Sequence, residues 1–130
     1  MNYKQMIDRL LPVAKEAGEE IMKIYNKEFD VNYKEDDSPL TKADQHSNKV
    51  IVNCLQETYP EMAILSEESK DDKSRLEKEY CFIVDPLDGT KEFVKRNGEF
   101  TVNIALSKNH KSVLGIIYVP VTKEMYYAYE

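Results

Sequence analysis

In Tyr80-Cys81-Phe82-Ile83-Val84-Asp85-Pro86-Leu87-Asp88-Gly89-Thr90 an apolar run breaks abruptly into an acidic turn. The run from Tyr80 to Val84 is aromatic and β-branched, the composition of a buried strand. Pro86 stiffens the bend after Asp85, and Gly89 lets the backbone approach a bound group closely. Asp88-Gly89-Thr90 then predicts a helix start running through Phe93, which would aim free backbone N–H groups at an anion such as phosphate. Upstream, Ala63-Ile64-Leu65 is a second short strand, and it ends in Ser66-Glu67-Glu68-Ser69. Two strands ending side by side bring Glu67, Asp85 and Asp88 together at the place where open sheets present their ligand sites. Carboxylates so close repel unless cations join them, and hard oxygen donors select Mg²⁺ or Mn²⁺.

Simpler readings exist for each piece taken singly. Asp85-Pro86-Leu87-Asp88-Gly89 is rich in turn formers and could be a turn alone. Glu67-Glu68 could be an exposed acidic pair. Thr41-Lys42-Ala43-Asp44 resembles a capping box, with Asp where Glu or Gln is usual. His46 and His110 have no partner spacing and belong to the surface or a turn. Tyr126, Tyr127 and Tyr129 read as sheet packing rather than a base-stacking platform.

Working outward, residues 3–26 carry Tyr3, Met6, Ile7, Leu10, Ala14, Ala17, Ile21 and Tyr25 at three- and four-residue steps, which predicts an amphipathic helix. Pro12 lies inside it and should kink or divide it. After the polar stretch from Lys34 to Pro39, a second helix is expected from Thr41, with Ala43, Val50, Ile51, Cys54, Leu55 and Thr58 on one face and Pro60 as its stop. A charged loop or short helix spans Lys70 to Glu79. Three more strands are expected at Thr101–Leu106, Val113–Val119 and Glu124–Tyr129, turned at Asn109-His110 and at Pro120–Lys123. Helices first and closely connected strands after imply an α+β layer with an antiparallel or mixed sheet.

Composition bounds the function. At 130 residues, 42% hydrophobic and 32% charged, the chain reads as one modest globular domain. A net charge of −6 argues against a nucleic-acid polymer as partner. A phosphorylated small molecule remains compatible, because bound divalent cations reverse the local electrostatics. No apolar run reaches the roughly 20 residues of a membrane span, and Met1-Asn2-Tyr3-Lys4-Gln5 lacks the features of a secretory signal. Cys54 and Cys81 have no redox or metal spacing and read as buried thiols of a cytoplasmic protein.

Three segments together resemble the lithium-sensitive, magnesium-dependent sugar-phosphatase superfamily, which includes inositol monophosphatases and bisphosphate nucleotidases. They are Ser38-Pro39-Leu40-Thr41-Lys42-Ala43-Asp44, Leu65-Ser66-Glu67-Glu68 and Asp85-Pro86-Leu87-Asp88-Gly89-Thr90, in the family's order. Lys91-Glu92-Phe93 and the segment from Lys95 to Leu106 resemble the bacterial branch that hydrolyses 3'-phosphoadenosine 5'-phosphate. The resemblance implies the layered αβαβα fold, with residues 1–130 as its N-terminal half: two long helices on a largely antiparallel sheet.

It also implies roles. Glu67, Asp85 and the carbonyl of Leu87 would hold one Mg²⁺, and Asp85 and Asp88 a second, with Mn²⁺ as a possible substitute. Thr90 would orient the attacking water, and Asp44 would accept a hydrogen bond from its hydroxyl. Backbone N–H groups of Gly89 and Thr90 would bind phosphate beside Leu87 and Asp88, and Lys34 would lie near a further metal position. Inhibition by Li⁺ is expected by resemblance alone. The family's last metal carboxylate comes from a Trp-Asp-x-Ala-Ala-Gly motif, and this chain has no Trp. A C-terminal half or a second chain is therefore expected to complete the site, and the 130 residues alone to be impaired. Rival readings are an inositol or fructose-bisphosphate phosphatase and a non-catalytic metal-binding module.

Overall fold

The structure is a computed structural model that describes residues 1–26, 38–67 and 78–130. Lys34 and Glu68, with nearly all of the segment from Lys70 to Glu79, lie outside the described residues. Helix α1 is Tyr3–Tyr25, capped by the Asn2 side chain, whose Oδ1 accepts from the Gln5 N–H at 3.1 Å. Of the kink or break expected at Pro12, the break is absent: the helix runs through it. Pro12 cannot donate to the Asp8 carbonyl, but both residues are on the exposed side, where water can serve that oxygen.

Helix α2 is Pro39–Thr58 and begins earlier than its apolar pattern suggests. Its N-cap is Ser38, whose Oγ accepts from the Thr41 N–H at 3.0 Å, with Pro39 in the first turn, where a missing N–H costs nothing. Thr41 is therefore not a cap and the Thr41–Asp44 box does not form. Asp44 lies inside the helix, in its second turn. Cys54, expected to be buried, is only half-buried, with Sγ 3.8 Å from Thr58 Oγ1, whereas Cys81 is buried.

The sheet runs in chain order: β1 Ala63–Ser66, β2 Tyr80–Asp88, β3 Thr101–Lys108, β4 Lys111–Val119 and β5 Glu124–Tyr129. β1 and β2 are parallel and every later pair is antiparallel. The β3–β4 hairpin turns on Asn109 (φ 49°) and His110 (φ 70°), a left-handed pair that matches the twist of the strands it joins. Asn109 also donates its N–H to the Glu79 carbonyl at 2.8 Å, tying the turn to the start of β2.

Both long helices lie on one face of the sheet. Phe82 and Val84 of β2, Val102, Ile104 and Leu106 of β3, and Leu114, Ile116 and Tyr118 of β4 point into them and are buried. From the helices come Leu10, Ala14, Ala17 and Ile21, then Ala43, Ile51 and Leu55, all fully buried. Gly18 lets α1 approach β4 closely: a Cβ there would lie 2.4 Å from Tyr118 Cε2. The opposite face is apolar and largely open among the described residues, with Ile83 44%, Ile117 45% and Tyr126 54% exposed and the small residues Ala105 and Gly115 beside them. The tyrosines of β5 belong to the sheet as expected, but on an edge strand they are about half exposed rather than packed.

Candidate metal and phosphate site

The parallel pairing of β1 with β2 decides where the acidic residues stand. Its last partners are Ser66 and Val84, so Glu67 and Asp85, each one residue further, stand side by side just beyond the β1–β2 ladder. Helix α2 closes this end from the helical side through two polar ties. Ser47 Oγ donates to the Pro86 carbonyl at 2.7 Å, and Ser66 Oγ donates to Asn48 Oδ1. Asp44, Ser47 and Asn48 are spaced i, i+3, i+4 and share one helix stripe, so the ties also set Asp44 toward the strand ends. Ser47 is fully buried, in a stripe otherwise filled by Ala43, Ile51 and Leu55. A serine where the apolar repeat calls for an aliphatic is the sequence signal for this tie. Asn48 carries no comparable signal, and Ser66 stands in the sequence only as part of the acidic motif at the end of β1.

The acidic turn belongs to the sheet rather than following it. β2 continues past Val84 through Pro86 and Leu87 to Asp88, and its ladder with β3 is irregular between Asp85 and Asp88. That bulge accommodates Pro86, which has no N–H to give. Leu87 is buried and pins the turn to the core, while Asp88 is exposed and its Oδ2 accepts from Asn103 Nδ2 at 3.0 Å. Gly89 follows with φ 98°, a left-handed conformation that disfavours any side chain. A Cβ there would also press to 3.2 Å from the Phe100 Cα. Helix α3, Thr90–Lys95, starts at once, with Thr90 exposed at its head and Phe93 fully buried beneath. The Phe93 ring stands 5.4 Å from that of Tyr25 and 5.3 Å from that of Phe100, and Tyr25 and Phe100 are 4.8 Å apart. The Arg96 guanidinium lies 4.6 Å over the Tyr25 ring. This aromatic trio locks α3, the end of α1 and the approach to β3 together, so the Gly89-Thr90 backbone rests on a rigid support.

The structure thus brings Glu67, Asp85, Leu87, Asp88, Gly89 and Thr90 to one end of the sheet, with Asp44 on the helix behind. It does not gather the acidic side chains into a finished cluster: among the described residues no three His, Cys, Asp or Glu groups stand together as a ready metal site. Glu67 and Asp88 are exposed, whereas the Oδ1 atoms of Asp44 and Asp85 are shielded from water. Carboxylates and a main-chain carbonyl are a hard, anionic oxygen set, and that chemistry fits Mg²⁺ or Mn²⁺ and not a soft metal. Cys54 and Cys81 take no part.

The profile of the inositol monophosphatase family matches residues 2–130. The chain belongs to the inositol monophosphatase family. Within it, the chain is 47% identical over 128 residues to the 3'(2'),5'-bisphosphate nucleotidase CysQ of Salmonella typhimurium, covering 96% of this chain and 52% of that protein. The CysQ of Escherichia coli K12 is 46% identical over the same length. Among solved structures, CysQ from Bacteroides thetaiotaomicron superposes with a TM-score of 0.90 at 48% identity, over 98% of this chain and 47% of that one. An inositol monophosphatase from Zymomonas mobilis follows the same fold with a TM-score of 0.84 at 29% identity, over 99% of this chain and 49% of that one. The family assignment accords with the α+β layering seen here, two long helices on a mostly antiparallel sheet. The chain spans about half the length of the curated relatives it matches. No helix among the described residues is long and apolar enough to cross a membrane.

Proposed function

We propose that this chain is the metal- and phosphate-binding half of a phosphomonoesterase that removes the 3'-phosphate of 3'-phosphoadenosine 5'-phosphate, giving AMP and phosphate. The observation that carries the reading is the convergence of Glu67 and Asp85 at adjacent parallel strand ends, followed at once by the Asp88-Gly89-Thr90 turn into α3. Glu67, Asp85 and the Leu87 carbonyl would hold one Mg²⁺, and Asp85 and Asp88 a second. When bound, such a pair supplies charge neutralisation for a phosphate and a more acidic water. The chain's own part is to place and orient. Thr90, at the head of α3, would hold the attacking water through its hydroxyl, with Asp44 on α2 as that hydroxyl's acceptor. The Gly89 and Thr90 N–H groups would take phosphate oxygens. Similarity to the CysQ nucleotidases favours a nucleotide bisphosphate over an inositol phosphate.

The same reading makes the uncovered sheet face an internal surface. A segment equivalent to the half of the relatives that this chain does not span would cover Ile83, Ile117 and Tyr126, which are exposed together on this face, and would add the remaining metal carboxylate. The free thiols suit a reducing compartment and favour the cytoplasm as the protein's location. Li⁺ inhibition follows from the family resemblance.

Co-expression with the C-terminal half of the Salmonella typhimurium relative, followed by phosphate-release assays, tests this reading. The complex is expected to hydrolyse 3'-phosphoadenosine 5'-phosphate at least tenfold faster than inositol 1-phosphate, and the chain alone to be much slower. A preference for inositol 1-phosphate would transfer the protein to the sister activity. A stable complex with neither activity would favour a non-catalytic metal-binding module.

A further inference from the structure

We propose that Asn103 is a positioning residue for the metal site, fixing the carboxylate of Asp88, with Thr101 fixing Asn103 in turn. The inference rests on the reading of Asp88 as a metal ligand. In the β2–β3 ladder Asn103 is the Cα partner of Asp85 and Thr101 that of Asp88, and the register is irregular between them. Asn103 therefore stands opposite one acidic residue and reaches across the bulge to the other, where its Nδ2 donates to Asp88 Oδ2 at 3.0 Å.

The amide is held in one orientation. Thr101 Oγ1 donates to Asn103 Oδ1 at 2.9 Å, and an ionised carboxylate can only accept, so both ends of the amide are determined by chemistry. Thr101 and Asn103 are two residues apart on one strand and face the same side, which lets the hydroxyl reach the amide. The consequence falls on Asp88. It is exposed, on a bulge, and without a tether its carboxylate would turn freely. With Oδ2 engaged by Asn103, Oδ1 is presented in a fixed direction. Groups that orient a ligating carboxylate from behind typically change metal affinity 10- to 100-fold when removed.

Mn²⁺ binding to the full 130-residue chain, measured by calorimetry, tests this, with melting in EDTA reporting the fold. Asn103→Leu is expected to weaken Mn²⁺ about tenfold. Thr101→Val is expected to weaken it less, by roughly threefold, since it removes only the outer link, while Thr101→Ser keeps wild-type affinity. A cycle with Asp88→Asn separates positioning from a general structural effect. If Asn103 acts through Asp88, Asn103→Leu in the Asp88→Asn background causes no further loss. A further tenfold loss there, or equal affinity in the wild type and Asn103→Leu, overturns the role of Asn103 while leaving the metal site intact. Wild-type chain that takes up no Mn²⁺ overturns both. Should Asn103→Leu fail to fold, Thr101→Val against Thr101→Ser decides the matter, and equal affinity in those two overturns it.

Discussion

Asp85→Asn is expected to abolish divalent-cation binding, weakening Mn²⁺ by at least a hundredfold, with little effect on the fold itself. Asp85 lies one residue beyond the last β1–β2 partners, beside Glu67, and its Oδ1 is shielded from water. On the function proposed above it would also serve both ion positions, so one substitution would weaken both. Asn has nearly the same shape, so the β2 bulge and the tie from Ser47 to the Pro86 carbonyl stay in place. The effect is readable as stability. A ligand at a hundred times its Kd raises the folding free energy by about 2.7 kcal/mol, which is on the order of 10 °C in Tm for a chain of this size. Melting with and without Mn²⁺ should show that rise in the wild type and none in Asp85→Asn. Equal rises in both would mean that the ion binds elsewhere.

Phe100→Ala is expected to be the more damaging change to the fold, costing about 3–5 kcal/mol. Phe100 is fully buried, packs on Tyr25 and Phe93, and its backbone lies beneath Gly89. The cavity would open directly under the Asp88-Gly89-Thr90 turn, so α3 should loosen before the helices leave the sheet. Urea unfolding gives the magnitude. Hydrogen exchange should show lost protection first in Thr90–Lys95, and uniform loss across the chain would count against α3 resting on the aromatic trio.

Much of the architecture was legible because its signals are local. The three- and four-residue repeat of α1, the apolar runs of β2 and β3, and the Asn109-His110 turn each follow from a short window of residues. Glu67 and Asp85 were legible for the same reason, since each ends an apolar run, and the parallel β1–β2 register then set them side by side. What was not legible depends on partners distant in sequence. Pro12 looked like a kink or a break because its cost is local, whereas the packing that holds α1 together comes from α2 and the sheet. Thr41 looked like a cap, but Ser38 with Pro39 behind it starts α2 a turn earlier. Ser47 and Asn103 look unremarkable in sequence. Their roles appear only when α2 meets the Pro86 carbonyl and β3 crosses the bulge to Asp88. Cys54 followed the apolar stripe of α2 closely enough to suggest burial, yet falls at its edge.

The central claim, that the strand ends and the turn into α3 form the cation site, is tested most directly by paramagnetic broadening in ¹H–¹⁵N spectra of the chain titrated with Mn²⁺. The chain carries 24 acidic residues, so a nonspecific cation has many places to go. Broadening at substoichiometric Mn²⁺ is expected first at Glu67, at Asp85 to Thr90 and at the Asn103 side-chain amide, and it should disappear in Asp85→Asn. Broadening centred on the acidic face of the helices, around Glu16, Glu20 and Glu57, or spread evenly over the surface, would contradict it.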